Sequence, residues 1–212
     1  DILKTNFVSN ISHELRTPLT HIKGYLDLVM AEDCIKDNPD VSASLEVVQR
    51  STARLENLIN NLITFSMAET GQLSLMVEPF NIVETAELSV SRFARTAAGK
   101  NITMKQSFSH ETIFVEADKN KIIWVLNQLI DNSIKYSPED TDIDIKVKYL
   151  DDKIQVWVRD HGMGIPPDSL EHIFDKFYRA SSGNIHKFKG LGLGLYYVRK
   201  IAVAHGGDVT VS

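Results

Sequence analysis

The sequence predicts a chain of two parts, a hairpin of two long helices followed by a mixed α/β sandwich. Helical spacing of apolar residues over 1–31 and again from about Val41 to Glu69, with a polar segment between, indicates the hairpin. From about Leu73, short alternating strands interchange with amphipathic helices, which indicates the sandwich. We therefore expect one domain over 1–72 and a second over 73–212.

The composition restricts the class of protein. The 212 residues are 43% hydrophobic and 24% charged, with a net charge of −5, as in ordinary globular domains. No basic run suggests nucleic-acid binding, and no apolar segment approaches the roughly 18 residues that span a bilayer. A single cysteine, Cys34, cannot form an internal disulfide, which favours a reducing compartment.

The ends of the chain suggest a fragment. The sequence begins inside a helical pattern and stops at Val211-Ser212, inside an expected strand. We therefore expect a cytoplasmic, C-terminally truncated piece of a longer protein, whose parent is anchored, if at all, in the inner or plasma membrane through regions absent here.

The first helix places a histidine beside a glutamate. His13 and Glu14 lie off the apolar stripe, on a polar face where an imidazole can act as a nucleophile. Pro18 removes a helical hydrogen bond one turn later. On this segment alone, an ordinary surface histidine is the alternative. The apolar stripe consists of Phe7, Ile11, Leu15, Leu19, Ile22, Leu26 and Val29.

The second helix repeats its apolar residues every seven positions and ends at Gly71. A two-helix hairpin buries little surface alone, so two copies are expected to pair into a four-helix bundle. The alternative is that the hairpin packs on the C-terminal domain of its own chain. The heptad positions are Val41, Val48, Leu55 and Leu62, with Leu45, Thr52 and Ile59 at the offset positions.

The second domain is predicted element by element from its periodicity. We expect strands at Leu73–Val77, Ile102–Ser107, Ile113–Glu116, Ile143–Tyr149 and Ile154–Val158, the last two forming a hairpin, and a final strand after Gly206-Gly207. Helices are expected at Ile82–Ala98, Lys119–Tyr136 and Leu193–His205.

The helix Lys119–Tyr136 carries polar residues on one face. Gln128 and Asn132 are one turn apart, and Lys135 and Tyr136 follow. Amide oxygens suit Mg²⁺, and a lysine can place its charge on phosphates. Taken alone, polar residues on a helix are usually just its solvated face.

Two glycine-rich segments follow in the sequence. Asp160-His161-Gly162-Met163-Gly164-Ile165-Pro166 comes directly after a strand, and its glycines permit close backbone approach to a ligand. Lys189-Gly190-Leu191-Gly192-Leu193-Gly194-Leu195 precedes a helix, whose N-terminal N–H groups can hold an anion such as a triphosphate. The second segment is neither a Walker loop nor a dinucleotide fingerprint.

The segment Phe174-Asp175-Lys176-Phe177-Tyr178-Arg179 lies between them. Phe174 and Phe177 are expected to pack in the core, whereas the Arg179 guanidinium can bind phosphate with two parallel hydrogen bonds. The polar run 180–188 is expected to form a mobile lid over a bound ligand.

Taken together, these segments resemble sensor histidine kinases, the first partners of two-component signalling. Ser12-His13-Glu14-Leu15-Arg16-Thr17-Pro18-Leu19 matches the phosphoacceptor box of that family residue for residue. The segments at 124–137, 160–166, 174–179 and 189–195 resemble its N, first glycine, F and second glycine boxes, in the family's order. The resemblance covers nearly the whole chain and implies an ATP fold shared with gyrase and certain heat-shock chaperones.

The resemblance implies a reaction and its site. Mg-ATP would phosphorylate His13, and the phosphoryl group would pass to an aspartate of a response-regulator receiver domain. Glu14 would orient His13 or take its proton, and Thr17 would help remove phosphate from the regulator. The nucleotide would be held by Gln128, Asn132, Lys135, Tyr136, Asp160, Gly162, Gly164, Ile165, Arg179, Gly190, Leu191, Gly192, Leu193 and Gly194.

Within this set, two residues have specific assignments. Asp160 would accept a hydrogen bond from the exocyclic amine of adenine. Asn132 would be the principal Mg²⁺ ligand, because Gln128 stands where the family usually has asparagine. The partners implied are a second copy of the chain, through the helical hairpin, and the receiver domain.

Two alternative functions remain at this point, a scaffold and an ATPase. A degenerate kinase kept as a dimeric scaffold is disfavoured by the intact Asn132, Asp160 and glycines. A gyrase-type ATPase is disfavoured because its hydrolysing members are expected to carry a catalytic glutamate where Gln128 stands, and glutamine cannot act as a base.

Overall fold

Two long helices form the first of two compact units, Asp1–Leu73. The computed structural model describes residues 2–32, 35, 37–69, 73–150, 153–180 and 192–212. Helix α1 spans Ile2–Ala31, as predicted, and α2 spans Pro39–Glu69, beginning slightly earlier than predicted. The early start has a local cause, because proline is favoured in the first turn of a helix. Gly71, predicted to end α2, lies outside the described residues.

The hairpin buries one row of side chains from each helix. Leu19 and Leu26 of α1 are buried, as are Thr52 and Ile59 at the offset positions of α2. Two helices can bury only the sides that face each other, so the neighbouring apolar positions stay open in a single hairpin. These exposed residues include Leu15, Ile22, Val29, Val41, Val48 and Leu55.

Strands and helices alternate in the second unit, Ser74–Ser212. Apart from the first and last predicted strands, every predicted element is present to within one residue at each end. The strands are β1 (Glu78–Asn81), β2 (Thr103–Phe108), β3 (Phe114–Ala117), β4 (Asp142–Leu150) and β5 (Lys153–Arg159). The helices are α3 (Ile82–Ala98), α4 (Lys119–Tyr136), the short α5 (Pro167–Leu170) and α6 (Gly194–Ala204).

The sheets confirm the mixed topology. Strand β4 is central in a three-stranded sheet, parallel to β2 and antiparallel to β5, with Ile145 opposite Gln106 on one side and Val158 on the other. Strands β1 and β3 form a separate antiparallel pair. The β4–β5 pair is the predicted hairpin.

The core forms where α3 and α4 cover the central strand. Alternate residues of β4 point to the helices, and Ile143 and Ile145 are completely buried. They pack in one cluster with Ile130 of α4 and Val90 of α3. Because one side of α4 is fixed in this cluster, the position of its polar side is fixed as well.

Two predicted strands are wrong, for related reasons. Residues 73–77 are outside any strand, because the Met76 N–H donates to Asp118 Oδ2 at 3.0 Å and the Ser74 carbonyl accepts from Lys121 Nζ at 3.0 Å. Residues 208–212 are also outside any strand. There the Asp208 carboxylate accepts the hydrogen bond of the Val209 N–H, so a local bond occupies a group that a sheet would need.

Asp118 joins the start of α4 to this segment. The carboxylate is buried, which by itself would raise the pKa of Asp118, but hydrogen bonds from Lys121 Nζ at 2.5 Å and from the Met76 and Lys121 N–H groups lower it to about 2. A lowered carboxyl pKa stabilises the fold above the unfolded value near 3.9, and that stability is lost as the pH falls toward 2.

We expect Asp118→Asn to destabilise the second unit by about 2 kcal/mol at pH 7, because the charge-assisted bonds to Lys121 are lost. The difference between variant and parent should shrink as the pH falls from 4 toward 2, because the carboxylate is protonated first in the unfolded parent and, near pH 2, in the folded parent as well. Urea unfolding followed by tryptophan fluorescence measures this unit, since both tryptophans, Trp124 and Trp157, lie in it. Asp208→Asn is the control; an equal loss of stability there would contradict the account.

Candidate functional site

Helix α4 supplies the base of the site. Gln128 and Asn132 are partly buried and adjacent, with Gln128 Nε2 donating to Asn132 Oδ1 at 3.3 Å. One turn later, the Lys135 ammonium lies 5.0 Å from the centre of the Tyr136 ring. Desolvation raises the pKa of the neighbouring Asp131 carboxyl, and the charge of Lys135 opposes that rise. The helix therefore presents amide oxygens in its middle and a cation at its end.

Asp160 is oriented by two hydrogen bonds. Its Oδ1 accepts from the Gly162 N–H at 2.9 Å, and its Oδ2 accepts from the Ser133 hydroxyl of α4 at 3.2 Å. Ser133 is buried, so the second bond ties the strand end after β5 to α4. Ser133 was not among the predicted site residues; its sequence signal is a small hydroxyl residue directly after Asn132, in a turn that also carries the buried Ile130 and Ile134.

Gly162 lies where a side chain could not fit. A Cβ atom added there would be 2.7 Å from the Tyr136 carbonyl oxygen and 2.8 Å from Asp160 Oδ1. The first glycine segment thus touches the last turn of α4 through its backbone. Gly164 has a φ of +67°, a conformation that favours glycine, and Ile165 beside it is partly buried.

The second glycine segment leads into α6. Gly192 has a φ of +69°, and a Cβ there would lie 2.6 Å from the Tyr178 carbonyl oxygen. Leu193 is buried and contributes no side-chain cap, so the first N–H groups of α6 receive no bond from it. At Gly194 a Cβ would lie 2.8 Å from the side-chain amide of Gln128, which places the start of α6 against α4. Gly190 and Leu191 lie outside the described residues.

The segment 174–179 differs from its prediction in the burial of Phe177. Phe177 is exposed and has a φ of +61°, so its expected place in the core is wrong. Residues 171–177 form turns rather than a helix, and a turn does not aim successive aromatics at one core. Phe174 is partly buried beneath Arg199, whose guanidinium lies 5.3 Å from the ring. Arg179 is exposed, and the predicted lid, 180–188, lies outside the described residues except at Ala180.

These parts fit an ATP phosphate chain and its metal. The start of α6 offers N–H groups to an anion, and the glycines leave room for backbone contact. The amide oxygen of Asn132 suits Mg²⁺, and its orientation is fixed by the bond from Gln128. The predicted nucleotide residues on α4, after β5 and at the start of α6 are thus brought together.

The other predicted residues lie on α1 in the first unit. His13, Glu14 and Thr17 all fall within the helix, with Thr17 one turn after His13. Thr17 is exposed, and Pro18 lies inside the helix. The side chains of His13 and Glu14 lie outside the described part of the structure. Among the described residues, no helix combines the length and apolar character needed to cross a membrane.

Two domain families match the chain, in the order of its two units. Residues 3–71 match the family described as the His Kinase A (phospho-acceptor) domain. Residues 117–212 match the family described as the histidine kinase-, DNA gyrase B- and HSP90-like ATPase. The first match contains His13, and the second contains every predicted nucleotide residue.

Similar proteins agree with both matches. Sensor histidine kinase WalK of Bacillus subtilis (strain 168) is 34% identical over 208 residues, which cover 97% of this chain and 34% of the relative. The chain therefore spans about a third of that relative's length. Acinetobacter baumannii histidine kinase AdeS superposes with a TM-score of 0.60 at 26% identity, covering 91% of this chain and 86% of that one. Full-length ShkA in complex with AMPPNP shares the fold, with a TM-score of 0.74 at 22% identity over 96% of this chain and 42% of that one.

Proposed function

Because the chain belongs to the sensor histidine kinase family and contains both domains of its catalytic core, we propose that it phosphorylates its own His13 from ATP. The phosphoryl group then passes to an aspartate of a response-regulator receiver domain. The observation that carries the proposal is that α4, the loop after β5 that contains Asp160, and the start of α6 contact one another. These three elements lie in the second unit, and the acceptor helix α1 lies in the first.

The acceptor step is a nucleophilic displacement. A ring nitrogen of neutral His13 forms a bond to the γ-phosphorus as the bond from that phosphorus to the bridging oxygen breaks, and ADP leaves. Glu14 follows His13 directly in the sequence and orients the ring or accepts its N–H proton. The histidine must be neutral when it attacks, because a protonated imidazole has no free lone pair.

The nucleotide domain positions the reacting group. Asn132 offers an amide oxygen held in place by Gln128, while Lys135 and Arg179 carry positive charge toward the phosphates. Mg²⁺, when bound with ATP, neutralises charge on the phosphate oxygens. Asp160, fixed by Ser133 and the Gly162 N–H, keeps lone pairs for the exocyclic amine of adenine, which would favour ATP over GTP.

The hairpin is proposed to pair with a second copy. Its outer apolar residues are substantially exposed, Val48 by 44% and Leu55 by 48%, and Ile22 of α1 by 50%. Burying these rows in a four-helix bundle removes apolar surface that a single hairpin leaves in water. Sedimentation should therefore detect a dimer, and a strict monomer at micromolar concentration would contradict the pairing.

Incubation with γ-labelled ATP and Mg²⁺ distinguishes the proposed kinase activity from the two alternative functions, an ATPase and a scaffold. We expect label on the protein that is labile in acid and stable in base, as phosphohistidine is. Release of free phosphate without protein label would instead identify an ATPase. Neither label nor release, with ATP still bound, would identify a scaffold.

A second activity is proposed for Thr17, one turn after the acceptor. Its hydroxyl would hold a water in line with an aspartyl phosphate on the regulator, which requires no proton transfer from Thr17 itself. The structural alternative is a helix residue that only supports the turn before Pro18.

We expect Thr17→Ala to keep autophosphorylation and phosphotransfer but to slow regulator dephosphorylation by roughly tenfold or more. The measurement is the decay of phosphorylated receiver domain in the presence of each variant. Thr20→Ala, exposed on the same helix, serves as the control. Equal decay with Thr17→Ala and the parent would leave only the structural role.

A further inference from the structure

Helix α4 ends without the usual glycine. Its C-cap, Ser137, is extended, with φ −79° and ψ 143°, and its N–H donates to the Ser133 carbonyl at 3.1 Å. The next residue is Pro138, which has no N–H. A left-handed glycine after a helix normally brings N–H groups back to the last carbonyls, and this ending cannot. The remaining carbonyls of the last turn are left for a side chain or water to satisfy.

Lys100 provides a side-chain donor from the turn between α3 and β2. Its ammonium donates to the carbonyl oxygens of Ile134 at 2.8 Å, Lys135 at 3.3 Å and Ser137 at 3.1 Å. A cation at this end also meets the negative pole of the helix dipole. The Lys100 carbonyl accepts from the Asp140 N–H at 3.0 Å, so the residue holds the chain on both sides of the helix end.

The turn that Lys100 holds is part of the nucleotide site. It carries Lys135 and Tyr136, and the Tyr136 carbonyl lies so close to Gly162 that a Cβ there would be 2.7 Å away. A shift of this turn would therefore move both the proposed phosphate-binding lysine and the first glycine segment. We propose that Lys100 is a positioning residue for ATP binding, acting through the end of α4; this inference rests on the proposed function.

Lys100→Met keeps the length of the side chain and removes its three hydrogen bonds. We expect the Kd for Mg-ATP and the KM for autophosphorylation each to rise roughly tenfold, while kcat at saturating ATP stays within about twofold of the parent. Lys100→Arg should restore most of the affinity, because a guanidinium can also donate to several carbonyls. Lys148→Met, an exposed lysine on β4, should change neither value.

Calorimetric titration with Mg-ATP, paired with a thermal melt of each variant, separates the outcomes. Raised Kd in Lys100→Met with recovery in Lys100→Arg supports the inference. A lower Tm with the Kd of the parent would reduce Lys100 to a purely structural residue and overturn it. Failure of the parent itself to bind ATP would overturn the proposed function as well, so the two failures are distinguishable.

Discussion

His13→Ala should abolish transfer of label from γ-labelled ATP to the protein. The reason is chemical, since alanine has no nucleophile and the neighbouring Glu14 cannot form the same phosphoramidate. The affinity for Mg-ATP should stay within about twofold of the parent, because His13 lies in one unit and the proposed nucleotide residues lie in the other. Labelling and calorimetry on one preparation measure both quantities.

The control for this variant is His21→Ala. His21 is exposed on the same helix, eight positions further along, and should not affect labelling. Full labelling of His13→Ala would show that another residue accepts the phosphoryl group. Loss of ATP binding in His13→Ala would show that the two units do not divide the function as proposed.

Gly162→Ala should weaken ATP binding by roughly ten- to a hundredfold, the range expected when a methyl group is forced into a packed site. The added Cβ would lie 2.7 Å from the Tyr136 carbonyl oxygen and 2.8 Å from Asp160 Oδ1. The Tyr136 backbone cannot move away without disturbing the end of α4. Movement of the Asp160 side chain would disturb its hydrogen bond with Ser133. Titration with Mg-ATP gives the loss directly.

Gly99→Ala is the matched control in the same unit. Gly99 has a φ of −62°, and its added Cβ would meet only ordinary contacts at 3.5 and 3.6 Å. We expect its ATP affinity to equal that of the parent. If Gly162→Ala and Gly99→Ala bound ATP equally well, the close approach of the first glycine segment to α4 would have no role in the site.

Local patterns were sufficient to predict most elements of the fold. The helices Ile82–Ala98 and Lys119–Tyr136 agree with the structure at both ends, since their spacing and caps are encoded within a few residues. The strand expected at Leu73–Val77 failed because Asp118 and Lys121, distant in sequence, bind its backbone. Alternation of apolar residues does not reveal such long-range partners.

The residues of the site, like the elements of the fold, could be predicted only where the signal is local in the sequence. The glycine segments and Asn132 could be identified from spacing and resemblance, but not the contacts that orient them. That Gly194 meets Gln128, and that Ser133 holds Asp160, depends on how α4, α6 and the end of β5 pack. Lys100 gave no sequence signal, because its partners are main-chain carbonyls 34 or more positions away.

The most direct test of the account is to locate the phosphoryl group after reaction with Mg-ATP. Peptide mapping by mass spectrometry under neutral to basic conditions, supported by ³¹P NMR, distinguishes phosphohistidine from phosphate esters. We predict a phosphoryl group on a ring nitrogen of His13, which disappears when a cognate receiver domain is added and is then found on an aspartate of that domain. A stable phosphoryl group on any other residue, or free phosphate with His13 unmodified, would contradict the account.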